Sequence, residues 1–160
     1  MTDKTDSKSL EIGDKAPDFN ASTTEGDITL SSIDKNVVLY FYPKDDTPGC
    51  TTEAKGFAIL KDDFAKLDTI ILGVSKDNNK SHHKFIEKCG LNFTLIADKD
   101  TSICKSYHVW GEKKFMGRKY MGISRETFLI GKDKKIKQIW HNVKVNDHPR
   151  EVLEAVRNII

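Results

Sequence analysis

The stretch Asn36–Phe57, NVVLYFYPKDDTPGCTTEAKGF, decides how the chain is read. Its first residues, Asn36 to Tyr42, are a continuous apolar, β-branched and aromatic run, the pattern of a strand buried on both faces. A polar segment with two prolines and a glycine follows. From Thr51 the apolar residues Ala54, Phe57, Ala58, Leu60, Phe64 and Leu67 fall roughly on one side of a helix. The lone thiol of Cys50 therefore lies where a buried strand gives way to a helix. At such a boundary backbone N–H groups are free and the helix dipole is positive. A thiolate is stabilised there relative to the thiol, so Cys50 is expected to ionise more readily than a free cysteine. Pro48 and Gly49 fit the bend before the helix, and Pro43 sets the direction in which the chain leaves the strand. Thr47 puts a hydroxyl three residues before the sulfur, within reach of it or of a bound substrate. On position alone, a half-buried structural cysteine after a turn fits equally well.

Outward from this stretch, strands and helices alternate. TIILGVS (Thr69–Ser75) reads as a second buried strand, and KSHHKFIEKCG (Lys80–Gly90) as a helix stopped by its glycine. NFTLIAD (Asn92–Asp98) is a strand and Thr101–Tyr107 a short helix. WGEKKFMGRKYMGIS then reads as a polar, glycine-containing loop. RETFLIG and KIKQIWHNV form an antiparallel hairpin about GKDKK. DHPREVLEAVRNII closes the chain as a helix, with Asp147 as candidate N-cap and Pro149 in the first turn. This order predicts an α/β fold with a central mixed sheet flanked by helices, of the thioredoxin-like kind. A flavodoxin-like repeat of βα units is the rival, and the late hairpin argues against it.

At 160 residues the chain is long enough for one substantial core, read as a single domain over residues 10–160 after a loose polar tail at residues 1–9. A formal net charge of +2, from 26 basic and 24 acidic residues that interleave, gives no electrostatic case for nucleic acid. No apolar run reaches the roughly 18 residues of a membrane span, and the start lacks the marks of a signal or transit peptide. A cytoplasmic protein is expected. Three cysteines, Cys50, Cys89 and Cys104, with no CxxC pair argue against a disulfide-stapled secreted fold. The five histidines share no zinc-like spacing with them, and the neighbours His82 and His83 point about 100° apart on a helix, an awkward ligand pair.

FYPKDDTPGCTTE resembles the active-site segment of peroxiredoxins: proline, three residues, threonine or serine, two residues, cysteine. Those positions are Pro43, Thr47 and Cys50. The longer YPKDDTPGCT is similar to the bacterioferritin-comigratory, or Q-type, subgroup. The resemblance covers nearly the whole chain. IGDKAPDF is similar to the family's opening segment and TTEGDITLSSI to its first hairpin, an N-terminal extension of the fold. LGVSKDNNKSHHKF, LIADKD and RETFLIGKDKKI match later elements.

The resemblance implies a thioredoxin-dependent type of thiol peroxidase serving antioxidant defence. Its cysteine, here Cys50, attacks the terminal peroxide oxygen and becomes a sulfenic acid. Thr47, the backbone N–H of Cys50 and an arginine would follow charge onto the leaving oxygen. Arg125 occupies the place of the family's arginine, with Arg118 in the preceding loop as rival. Pro43 would shield the sulfur from water. Glu53 would hold Arg125 or the loop, or merely favour the helix dipole. Tyr42 and Trp110 would wall the pocket or belong to the core. The subgroup's frequent resolving cysteine lies five residues after the first, and this sequence has Lys55 there. A second group resolves from the next helix, at a place aligned with Ile86; Cys89 lies about one turn beyond. A one-cysteine cycle is therefore expected, with Cys89 as resolving cysteine the alternative and Cys104 a packed core thiol. No cofactor is implied, since sulfur carries the redox step. The expected partners are a peroxide and a thioredoxin, glutaredoxin or small-thiol reductant, and the expected assembly a monomer or weak homodimer. A non-enzymatic holdase or partner-binding module on the same fold is the alternative of another class.

Overall fold

Four α-helices, a short 3-10 helix at Leu30–Ser32 and nine strands lie within residues 9–159, the part of the chain that the computed structural model describes. The tail read as loose, residues 1–9, lies outside the described residues apart from Ser9. In chain order the elements are β1 (Asn20–Thr23), β2 (Gly26–Thr29), β3 (Asn36–Phe41), α1 (Pro48–Ala65), β4 (Thr69–Ser75), α2 (Asn79–Cys89) and β5 (Thr94–Ala97). There follow α3 (Ser102–Ser106), β6 (Trp110–Phe115), β7 (Arg118–Ile123), β8 (Glu126–Ile130), β9 (Ile136–Trp140) and α4 (His148–Ile159). Seven strands form one sheet in the order β2-β1-β5-β4-β3-β8-β9. The pairs β3/β4 and β4/β5 are parallel and the rest antiparallel, so the sheet is mixed, as the alternation predicts. The β1–β2 hairpin extends it at one end.

Strand β3 lies inside the sheet and is buried along its whole length. Side chains alternate across a strand, and the two cores divide accordingly. Val37, Leu39 and Phe41 join Phe128, Ile130, Tyr107 and Cys104 on one face. Val38, Tyr40 and Tyr42 join Phe57 and Phe64 of α1, Phe85 of α2 and Val152 and Val156 of α4 on the other. The apolar side expected of α1 is the side that packs: Ala54, Phe57 and Phe64 are buried, and Ala58, Leu60 and Leu67 lie against the same core. Helix α2 ends where its glycine places the stop, because Gly90 adopts the left-handed conformation at φ 65°.

Two sequence expectations change and a third is refined. The supposed loop after α3 is a second, two-stranded antiparallel sheet, β6 paired with β7 about Met116-Gly117. Both of its faces are largely exposed, so no apolar alternation marks it. Helix α1 begins at Pro48, so Pro48 and Gly49 are its first turn and not a bend before it. Asp147 does stand in the N-cap position of α4, its carbonyl accepting the Glu151 N–H at 3.0 Å, but with left-handed backbone at φ 62° in place of the usual extended one.

Register places the two halves of the site. Strand β8 runs antiparallel to β3 with Glu126 opposite Phe41. The start of β8 therefore meets the end of β3, beside the first turn of α1.

Candidate active site

Thr47 stands in the N-cap position of α1 with extended backbone, φ −100° and ψ 157°. Its side chain does not cap the helix; its hydroxyl donates to the carbonyl of Lys44 at 3.0 Å. Its carbonyl accepts the Thr51 N–H at 2.8 Å, which starts the helical ladder. Cys50 is the third helical residue, 1% exposed, among the buried side chains of the α1 face. Its amide belongs to the first turn, where N–H groups have no helical partner.

Arg125 reaches this turn from the residue preceding β8. Its main chain is fixed by the Val143 N–H, which donates to its carbonyl at 2.9 Å. Nη1 donates to Cys50 Sγ at 3.5 Å and to Glu53 Oε1 at 3.0 Å. One nitrogen thus ties together three residues of the expected site. Burial alone would make the guanidinium easier to deprotonate; the Cys50 sulfur and the Glu53 carboxylate outweigh it and hold Arg125 above its ordinary value. Glu53 is fully buried, and Oε2 has no hydrogen-bond partner among the described residues. Burial pushes its carboxyl from 4.5 up to about 7, against the pull of the Arg125 charge and hydrogen bond. Arg118, the rival arginine, is exposed on β7 opposite Phe115.

Two residues join the site that sequence reasoning did not assign to it. Gly49 has no Cβ, and one built there lies 3.1 Å from Arg125 Nη2. Its part is to admit the guanidinium to the first turn, and only the fold reveals that. Lys113 comes from the unforeseen β6 strand, with Nζ donating to the Ile123 carbonyl at 2.9 Å. Burial lowers its proton affinity and the Arg125 charge adds to this, while the Cys50 sulfur opposes it.

Pro43 is half-buried and borders a cavity of about 510 Å³ with Lys76, Trp110, Lys113, Met121 and Ile123. Trp110 is thus a wall of the cavity beside the loop. Tyr42 is not: it is fully buried, with its hydroxyl donating to Asp45 Oδ1 at 2.6 Å, and it belongs to the core. Cys104 is fully buried against the opposite face, and burial raises its thiol far above the ordinary range. Cys89 ends α2, half-buried, in a cleft with Lys55, Ala58 and Ile59 along the middle of α1. Ile86 packs onto the core of that face. All three thiols are free.

The family model for the AhpC/TSA family matches residues 12–139. The peroxiredoxin Bcp of Bacillus subtilis is 45% identical over 152 residues, 94% of this chain and 97% of the relative. The peroxiredoxin Bcp of Escherichia coli is 41% identical over 150 residues, 92% and 96% of the two chains. Among solved structures, a cysteine-to-serine variant of the Xylella fastidiosa peroxiredoxin Q superposes with a TM-score of 0.89 at 38% identity, covering 94% of this chain and 98% of that one. The chain belongs to the AhpC/TSA family, within it to the thioredoxin-fold peroxiredoxins of the Bcp or Q type, which are thiol peroxidases. Among the described residues no helix is long and apolar enough to cross a membrane.

Proposed function

We propose that Cys50 is the peroxidatic nucleophile, reducing hydrogen peroxide and organic hydroperoxides to water and alcohols. The observation that carries this is the single Arg125 nitrogen shared by the Cys50 sulfur and the Glu53 carboxylate, at 3.5 and 3.0 Å. A thiolate attacks the terminal oxygen of ROOH; the S–O bond forms as the O–O bond breaks. Cys50 is left as sulfenic acid, and the departing RO⁻ takes a proton to become ROH. Arg125 supplies a charged donor where negative charge moves from sulfur to oxygen. Thr47 turns its hydroxyl from the Lys44 carbonyl to the peroxide, and the Cys50 amide is the second neutral donor. Pro43 keeps water from the sulfur. Glu53 sets the guanidinium, its Oε1 fixing the nitrogen that faces Sγ.

The sulfenic acid is reduced by thioredoxin, glutaredoxin or a small thiol in a one-cysteine cycle. Two features favour this over resolution by Cys89: the subgroup's usual resolving position is Lys55, and Cys89 lies along the middle of α1, away from its first turn. The chain acts as a monomer or weak homodimer. Peroxide consumption with dithiothreitol, wild type against Cys50→Ser, tests the nucleophile. Loss in the variant is expected; equal consumption would reject it in favour of a non-enzymatic role. Disulfide mapping by mass spectrometry after one equivalent of peroxide tests the cycle, and a Cys50–Cys89 link in high yield would replace it with the two-cysteine route.

A further inference from the structure

The histidine pair singled out in the sequence has one member, His82, that is fully buried in the first turn of α2. Its Nδ1 lies 2.8 Å from Asp45 Oδ2 and its Nε2 2.9 Å from the Ile96 carbonyl. A carbonyl only accepts, so Nε2 donates to Ile96, while Nδ1 meets the Asp45 oxygen that also accepts from Ser81 Oγ at 2.7 Å. Asp45, in the middle of the segment between β3 and α1, has its other oxygen filled by the Tyr42 hydroxyl. Burial would raise its carboxyl, but the hydrogen bonds from His82, Tyr42 and Ser81 prevail and hold it below the usual value. Its amide donates to Asp77 Oδ2 at 2.8 Å, and Asp77 is itself held by Ser75 Oγ at 2.7 Å. Neighbouring Asp46 takes the left-handed backbone at φ 61° and accepts from Lys88 at 2.9 Å, a second but exposed tie to α2.

So dense a buried network, two residues before Thr47 and five before Cys50, exceeds what linking a strand to a helix requires. The loop has no strand partner of its own; these side chains are what fix it. We propose that Asp45 and His82 are positioning residues: their buried pair, closed by Tyr42 and Ser81, holds the Pro43–Thr47 loop against α2. Thr47 and Cys50 then face a peroxide in the geometry that Arg125 completes. Neither Asp45 nor His82 touches the sulfur. They act through the loop, and the inference rests on the peroxidase reading of Cys50.

The test compares two reactions of the same sulfur in the full chain. Oxidation by hydrogen peroxide needs every donor in place, whereas alkylation by iodoacetamide needs only a reactive, reachable sulfur. In Asp45→Ala and in His82→Phe the peroxide rate constant falls about tenfold to a hundredfold, while alkylation holds or rises. The double variant loses no more than the worse single one, because the two residues act as one unit. Removing one member strands a buried partner and costs stability. Circular dichroism therefore checks folding, and Ser81→Ala, which deletes one donor and keeps the pair, shows a smaller loss of about fivefold. Folded variants with the wild-type peroxide rate, or with oxidation and alkylation falling together, overturn the positioning role alone. A wild type inert to peroxide overturns the peroxidase reading and takes this inference with it.

Discussion

Glu53 gives the sharpest quantitative test of the site. A carboxyl with no exposed surface, one oxygen on Arg125 and the other unpartnered, has an ordinary value of 4.5 when unfolded and about 7 when folded. Between those values the native state holds more proton than the unfolded state, so unfolding free energy falls as pH rises. The contribution is fully present below 4.5 and lost once pH has passed 7. At about 1.4 kcal/mol per pH unit the gap from 4.5 to about 7 amounts to about 3 kcal/mol. Glu53→Gln keeps the shape and removes the titration. Urea unfolding of both proteins at pH 4.5, 6, 7 and 8.5, followed by circular dichroism, isolates this group, because the other titrations cancel in the difference. Stability of the variant relative to wild type should rise by about 3 kcal/mol across that range, with most of the change before pH 7. Difference curves flat to within about 0.5 kcal/mol would refute the buried, raised carboxyl. The same substitution should slow peroxide reduction above pH 7 by about tenfold, since the charge that fixes Arg125 is gone.

Other expectations follow from the same geometry. Gly49→Ala puts a methyl about 3.1 Å from Arg125 Nη2 and displaces the guanidinium. Stopped-flow peroxide rates should drop about tenfold, while thermal unfolding holds or improves, since alanine is about 1 kcal/mol the better helix former. Arg125→Lys keeps the charge but not the planar guanidinium whose Nη1 serves Sγ and Oε1 together, and should cost about a hundredfold or more in the rate constant for peroxide. An unchanged rate would remove Arg125 from the mechanism. Phe57→Ala empties a fully buried site stacked on Tyr40 at a ring separation of 4.7 Å. It should lower the unfolding free energy by about 3–5 kcal/mol in denaturant titrations.

What could be read before the structure depended on how local each signal was. The run Val37–Tyr42 is apolar at every position because both faces of β3 are buried, so strand and burial show in one stretch. Cys50 at a strand–helix junction, with Thr47 three residues before it, was equally visible, and resemblance to peroxiredoxins pointed to Arg125 and Glu53, which the structure brings to one another and to Cys50. The β6–β7 hairpin was not visible: from Trp110 to Gly122 no residue is fully buried, so neither face imposes an apolar period. Lys113 went unread with it. The Asp45–His82 pair was hidden for another reason: a separation of 37 residues carries no local pattern. An adjacent histidine that remains outside the network drew attention to metal chemistry instead. Gly49 resembled a turn glycine, but what needs its missing Cβ is an arginine 76 residues further along.

The pairing of Phe41 with Glu126 has an evolutionary corollary. Because Arg125 directly precedes β8 and the loop leading to Cys50 leaves the adjacent end of β3, the separation of guanidinium and thiol depends on the β3/β8 register together with the fixed loop between β3 and α1. A slip of one residue would carry Arg125 about 3.4 Å along the strand and turn it to the opposite face. Lengthening or shortening the β6–β7 ribbon leaves that ruler untouched. The exposed tip of the ribbon, Phe115–Arg118, can therefore vary without moving Arg125, while its base, which carries Trp110 and Lys113, stays part of the cavity wall.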